Sequence, residues 1–358
     1  MFCNCGPLTS LVLGIRAKNG LNLPLIREIH TLGWVGTFFQ EFVANDLSQS
    51  NDLVIHASSY SASVWKQIAP QHQSIVYQPI IRSEYSRSGK TQKQRQFLQA
   101  CFLSRLSRDK GFHEIPRLVK KLKEEGWPIS KVDIAGREID VNVSDARKLL
   151  RNIGVKLVYH GQLTRLETLQ IIQKSDLVLF PSTSSFEALG RVVVEAIFYD
   201  KIVFGSDYCG TYDLFPFEYR IPLQKSLRTG NSFNAFSIAD LDIHAWKPPQ
   251  YTEATLKRTN NNALSAYKYN SKTFSQIFEL TLNDVRLSRT FEPVNVEMKV
   301  DFDSYKHHSA EYWVFAMITE LKKINPSRQD LNDLGGVFKK CLKDIGFTPD
   351  VSFTTVKD

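Results

Sequence analysis

The sequence predicts an α/β protein built on parallel sheets covered by helices on both faces. Two observations predict it. Short apolar runs alternate with amphipathic, helix-like runs through most of residues 1–285, which is the rhythm of βαβ units. The composition, 42% hydrophobic and 23% charged over 358 residues, is that of an ordinary globular chain long enough for two domains. It excludes a disordered or collagen-like chain. No charge-free run exceeds the 15 residues of residues 1–15, short of the ~18 residues a spanning helix needs, which excludes a multi-span membrane protein. That run also lacks the basic start and small-residue cleavage site of a signal peptide.

The elements follow in order. Residues 53–55 read as a strand bounded by Asp52 and a serine-rich turn. The apolar run 97–103 is a strand ending at Ser104-Arg105. Residues 113–124 read as a helix with Ile115, Leu118 and Leu122 on one face. Strands over 132–135, 157–159 and 177–180 follow, with a helix over 165–174. A helix over 191–199 and a strand over 202–204 continue the alternation. Parallel sheets bind ligands at the carboxyl ends of their strands. Residues 82–96 (RSEYSRSGKTQKQRQ) are basic and free of aliphatic side chains, and read as a linker. The expected organisation is therefore a first domain over 1–81, the linker over 82–96, a second α/β domain over 97–285 and a largely helical extension over 286–358.

The net charge is +8. Residues 286–358 hold eleven Lys/Arg and eleven Asp/Glu, so the surplus lies in the first 285 residues. Such a surplus favours anionic partners. Five cysteines without regular spacing do not make a disulfide framework, and point to a reducing compartment, the cytoplasm.

Three segments carry candidate chemistry. In FEALGRVVVEA, residues 186–196, seven residues separate Glu187 from Glu195 and Gly190 opens a helix-like run. The backbone N–H groups of Gly190, Arg191 and Val192 would point out of that helix start, where the dipole favours phosphate. Each glutamate could accept from sugar hydroxyls by short charge-assisted bonds. Taken alone, the pattern also fits a solvated helix face. In SRLSRDKG, residues 104–111, Arg105 and Lys110 stand at the mouth of a strand-to-helix turn. A guanidinium fork and an ammonium suit a diphosphate, and the bare segment also fits a basic surface loop. In LVYHGQL, residues 157–163, a strand runs into His160-Gly161, whose backbone could meet a base.

These segments in this order, with DLVLFPS (176–182) before the glutamates and GSDYCGT (205–211) after them, resemble the nucleotide-binding half of the group 1 (family 4) retaining glycosyltransferases. That family has the GT-B fold of two facing Rossmann-like domains. The resemblance covers residues 97–210, and more loosely reaches 284 through a closing helix over 269–282. Upstream, PLIREIH (24–30) is similar to the family's strand ending in a histidine that faces the donor sugar, and residues 51–59 and 76–80 look like the last strands before the hinge. On this resemblance the first domain lacks about a hundred residues of the usual Rossmann unit. The chain then begins midway, or another polypeptide supplies the rest, or the domain is degenerate.

The resemblance implies roles. Arg105 and Lys110 would hold the donor diphosphate, Glu187 the transferred sugar and Glu195 the ribose. Gly190, Arg191 and Val192 would offer N–H groups near the phosphates, His160 and Gly161 would meet the base, and His30 would contact the sugar across the cleft. The implied reaction is retaining transfer from a UDP- or GDP-sugar to a hydroxyl acceptor, a glycan, polysaccharide or lipid-linked molecule. It needs no cofactor and no metal if the two cations suffice. The implied chemistry runs on one face, the departing phosphate assisting deprotonation of the acceptor. The basic first 285 residues are compatible with peripheral contact at the inner membrane face.

Other readings are a non-catalytic nucleotide-sugar-binding relative, an epimerase or phosphorylase of the same fold, and nucleic-acid binding through residues 82–110. That last stretch holds only Tyr85, Phe97 and Phe102 as aromatics, thin for base stacking. Nucleic acid is therefore not an expected partner. Asp301-Phe302-Asp303 has a metal-binding form, but no strand pattern precedes it. Cys3 and Cys5 near His30 lack the second pair of a zinc site.

Overall fold

The structure, a computed structural model, describes residues 2–4, 7–29, 48–49, 52–58, 61–62, 73–76, 96–184, 187–208, 217–224, 237 and 240–252. His30, residues 82–95 of the expected linker, the closing helix expected over 269–282 and the extension over 286–358 lie outside them.

The first sheet holds β1 (Phe2–Asn4), β2 (Ile26–Ile29), β3 (Leu53–His56) and β4 (Gln73–Val76), side by side in chain order and all parallel. Between β1 and β2 runs α1 (Pro7–Lys18). Proline suits the first helical position, and Arg16 and Lys18 suit the carbonyl end. Of the strand expected over 76–80 only Val76 is among the described residues, and there it ends Gln73–Val76, register-matched to Leu53–His56. The ladder extends through polar Gln73 and Ser74, which an apolar-run criterion passes over.

An ion pair joins α1 to this sheet. Buried Arg16 meets both carboxylate oxygens of buried Asp52 at 2.6 Å. Asp52 also accepts from the backbone N–H groups of Leu25 at 2.9 Å and Gln49 at 2.8 Å. Burial pushes its carboxyl up, but the Arg16 hydrogen bond, these two backbone donors and the Arg16 charge together bring it below its ordinary value.

The second sheet holds β5 (Leu98–Leu103), β6 (Ile129–Ala135), β7 (Lys156–Tyr159), β8 (Leu177–Phe180), β9 (Ile202–Ser206) and β10 (Arg220–Ile221). All pairings are parallel and the spatial order is β10-β9-β8-β5-β6-β7. Read from the β7 edge this is the doubly wound order 3-2-1-4-5-6, with its switch point between β5 and β8. A short antiparallel pair, β11 (Leu223–Gln224) and β12 (Asp240–Leu241), lies beside it in sequence.

Four helices cross between these strands: α2 (Ile115–Glu124), α3 (Val143–Asn152), α4 (Arg165–Lys174) and α5 (Arg191–Phe198). The α4 and β8 bounds are those expected. The helix expected over 113–124 divides into a 3-10 turn, Phe112–Glu114, followed by α2. Pro116 has no N–H to give the preceding turn, so the α-helical ladder can begin only there. Helix α3 escapes sequence reading because its face toward the core is just Val143, Ala146 and Leu150 amid charged residues. Its start is capped by Asn142, whose side chain accepts from the Ser144 N–H at 2.8 Å.

Near-continuous apolar strands such as Leu177–Phe180, buried throughout, form the core with the inner helix faces. Trp127 packs edge-on against Phe204 at 5.0 Å and donates to the Pro249 carbonyl at 2.8 Å. The two sheets meet just beyond β3. Buried Ser58 donates to the Ala188 carbonyl at 2.6 Å, and Ala57 joins the core of the second sheet.

Candidate functional site

The switch point sets two loops face to face: residues 104–111 after β5, and 181–190 after β8. Their contact is built from backbone. The Thr183 N–H donates to the Asp109 carbonyl at 3.0 Å. Gly111 has φ 72°, and a Cβ there would stand 2.1 Å from the Pro181 carbonyl oxygen. Only glycine permits both that conformation and that approach.

The two loops bring Lys110 and Glu187 together. Lys110 Nζ lies 2.6 Å from Glu187 Oε2, and Ser182 Oγ donates to the same oxygen at 3.2 Å. Both side chains are mostly covered, 12% and 14% exposed, so their charges are only partly screened by water. Three residues after Glu187, Gly190 caps α5 with φ 80°. A Cβ on it would meet the Phe180 ring at 2.4 Å. Helix α5 therefore starts close against the end of β8, and its first N–H groups have no intrahelical acceptor.

Arg105 leaves the same loop differently. Its guanidinium meets Asp109 at 3.2 Å and stays 44% exposed. Asp109 is buried, also accepts from the Ser107 hydroxyl, and shapes the loop from inside. The structure thus joins Lys110 to Glu187, and pairs Arg105 within its own loop. Arg191 is exposed and Val192 half-buried in the first turn of α5.

Glu195 is buried one turn further along α5, where Arg165 at the start of α4 meets its Oε1 at 2.5 Å. Burial pushes this carboxyl above its ordinary value. The hydrogen bond and charge of Arg165, and the charge of Arg191, act against that rise.

His160 and Gly161 follow β7. Asp133 of β6 stands opposite Val158 in the ladder, so His160, two residues on, shares its face. His160 Nε2 lies 2.7 Å from Asp133 Oδ1, and Lys131 Nζ lies 2.8 Å from Oδ2. A carboxylate only accepts, so Nε2 carries the hydrogen. The Gly161 carbonyl accepts from the Gly136 N–H at 2.8 Å, tying the turn after β7 to the turn after β6.

Sequence reading missed Asp109, Ser182, Asp133, Arg165 and Ser58. Asp109 lay inside a segment singled out for its cations. Arg165 follows Thr164, whose spacing to Glu167 signals a helix start, but nothing local points from it to Glu195, thirty residues on.

Residues 86–216 match the family model of the glycosyl transferases group 1. No curated protein matches the sequence. Among solved structures, the chain is similar to Anabaena HepE in complex with UDP, at 18% identity over 78% of each chain with a TM-score of 0.52. It is also similar to the pneumococcal O-GlcNAc transferase GtfA in complex with UDP and GlcNAc, at 16% identity, 76% of this chain, 55% of that one and a TM-score of 0.51. The chain thus spans about half the length of the pneumococcal enzyme. At these identities the likeness establishes the fold, which is GT-B with Rossmann-like parallel sheets. No helix among the described residues is long and apolar enough to cross a membrane.

Proposed function

We propose that this protein transfers a sugar from a nucleoside diphosphate sugar to a hydroxyl acceptor, with retention at the anomeric carbon. The observation that carries the reading is the Lys110–Glu187 pair at 2.6 Å, set at the β5/β8 switch point with the start of α5 three residues away. Lys110 and Arg105 take the diphosphate, Glu187 takes hydroxyls of the transferred sugar, and Gly190, Arg191 and Val192 present N–H groups to the phosphates. Glu195 takes the ribose, and His160 with Gly161 the base. His30, outside the described residues, contacts the sugar.

In the reaction the bond from the anomeric carbon to the diphosphate breaks and a bond to the acceptor oxygen forms. The acceptor proton passes to the departing phosphate. Cations preset around that phosphate lower the barrier without reorganising during the step, and a covered site excludes water as competing acceptor. Chain cations meet this requirement without a metal. UDP in both similar structures favours a uridine donor over GDP. A glycan or lipid-linked acceptor, met in the cytoplasm or peripherally at the inner membrane face, accords with the basic charge of the first 285 residues.

A nucleotide panel tests this. UDP or GDP should raise the melting temperature more than AMP does, and one UDP- or GDP-sugar should release nucleoside diphosphate when incubated with the protein and candidate acceptors. Equal indifference to every nucleotide would overturn the donor site. Binding without release under any sugar would leave a nucleotide-sugar-binding protein and remove the transferase.

A further inference from the structure

Glu195 is a carboxylate sunk into the fold with one solvent-side partner. Its side chain is 4% exposed and that of Arg165 is 41% exposed, so the guanidinium covers the carboxylate from outside. Arg165 owes this place to the start of α4. Thr164 accepts from the Glu167 N–H and Glu167 accepts from the Thr164 N–H, a reciprocal cap that fixes the first turn. A cation in a first turn opposes the helix dipole. Arg165 therefore sits where its own helix disfavours it, facing a carboxylate on another.

The remaining surroundings of Glu195 do little to keep it charged. The charged groups acting on it are Arg165 and, from the preceding turn of α5, Arg191. Strands β8 and β9, which α5 packs on, offer only Leu-Val-Leu-Phe and Ile-Val-Phe-Gly-Ser. A buried carboxylate without a partner takes up a proton, and a protonated carboxyl cannot accept from two hydroxyls with both oxygens. Arg165 engages Oε1 through one N–H, and a carboxylate has about four lone-pair positions, so acceptor capacity remains for a diol.

We propose that Arg165 is a positioning residue that makes this site select ribonucleotides, by holding the buried Glu195 carboxylate oriented and able to accept from both ribose hydroxyls. The proposal rests on the reading of Glu195 as the ribose acceptor. It adds that the selectivity depends on a residue from a different helix.

The test compares UDP and GDP with their 2′,3′-dideoxy counterparts by calorimetric titration of the full chain. The wild type should prefer the ribonucleotide by about tenfold or more, the worth of a charge-assisted hydrogen bond. Arg165→Ala should reduce that preference to within about twofold while leaving dideoxy affinity unchanged, and Arg165→Lys should recover part of it. Burial raises the Glu195 carboxyl, and removing Arg165 removes what opposes the rise. Ribonucleotide affinity of Arg165→Ala should therefore fall at a higher pH than in the wild type, and raising the pH should restore it. Arg165→Gln keeps a side chain over the site and serves if the alanine variant does not fold.

Equal loss for ribo and dideoxy nucleotides, with no recovery at high pH, would show a merely structural role and overturn the proposal. Glu195→Gln separates the two levels. If it abolishes the preference while the Arg165 variants keep it, the role of Arg165 is wrong. If Glu195→Gln keeps the preference, the ribose assignment itself falls.

Discussion

Lys110 and Glu187 each neutralise the other in a mostly covered site, so neither can be removed alone without leaving a charge behind. Either Lys110→Ala or Glu187→Ala should lower turnover by about a hundredfold or more, with circular dichroism unchanged. The pair should also show coupling. Each single substitution should destabilise by about 1–3 kcal/mol, and Lys110→Met with Glu187→Gln should cost less than the two separate losses added. Turnover surviving both alanine variants would refute the assignment. At this scale the sequence showed the residue types but not their pairing. Glu187 was visible through its spacing to Glu195, and Lys110 through its place after a strand. That they meet follows from β5 and β8 being neighbours, which no local pattern encodes. Arg165 and Asp133 were hidden for the same reason, since a partner on another element leaves no trace nearby.

At the level of elements, the site depends on how closely two loops approach. Gly111 and Gly190 both have positive φ, but what a side chain would strike differs. At Gly111 it is the Pro181 backbone, at 2.1 Å. At Gly190 it is the far end of the Phe180 ring, at 2.4 Å, a side chain rather than backbone. Gly190→Ala should cost about 1 kcal/mol, the left-handed penalty, whereas Gly111→Ala should cost about 2–3 kcal/mol and weaken UDP binding by moving residues 104–111 from 181–190. Urea midpoints would show it, and equal effects at the two glycines would contradict the geometry. The bounds of α4 and β8 were readable because a capping box and an unbroken apolar run mark them. Helix α3 was not, because its buried stripe is three residues wide in a polar segment.

Across the whole molecule, the Arg16–Asp52 pair and the Ser58–Ala188 bond are two of the polar contacts among the described residues that hold the first sheet in place. Asp52→Asn removes the carboxylate charge that faces the buried Arg16 guanidinium, at a cost of about 3–5 kcal/mol. Because the folded carboxyl lies below its ordinary value, the stabilisation is complete above about pH 4 and is lost as the pH falls on through the lowered folded value. Acid unfolding of the wild type should show this loss, and Asp52→Asn should lack it. Ser58 joins the sheets to one another. Ser58→Ala should cost about 1–2 kcal/mol and speed amide exchange at residues 187–190 while leaving β5 and β6 protected. Unchanged exchange there would mean that the hydroxyl does not restrain the loop.

Composition, alternation and the order of the three motifs were enough to settle the α/β class and to single out segments that meet at the β5/β8 switch point, because hydrophobic period and turn chemistry are local and survive in one dimension. The strand order β10-β9-β8-β5-β6-β7, the Lys110–Glu187 and Arg165–Glu195 pairs and the Ser58 bridge needed the folded chain. Each depends on which distant segments become neighbours, and that is fixed by the packing of the entire core rather than by any stretch of it.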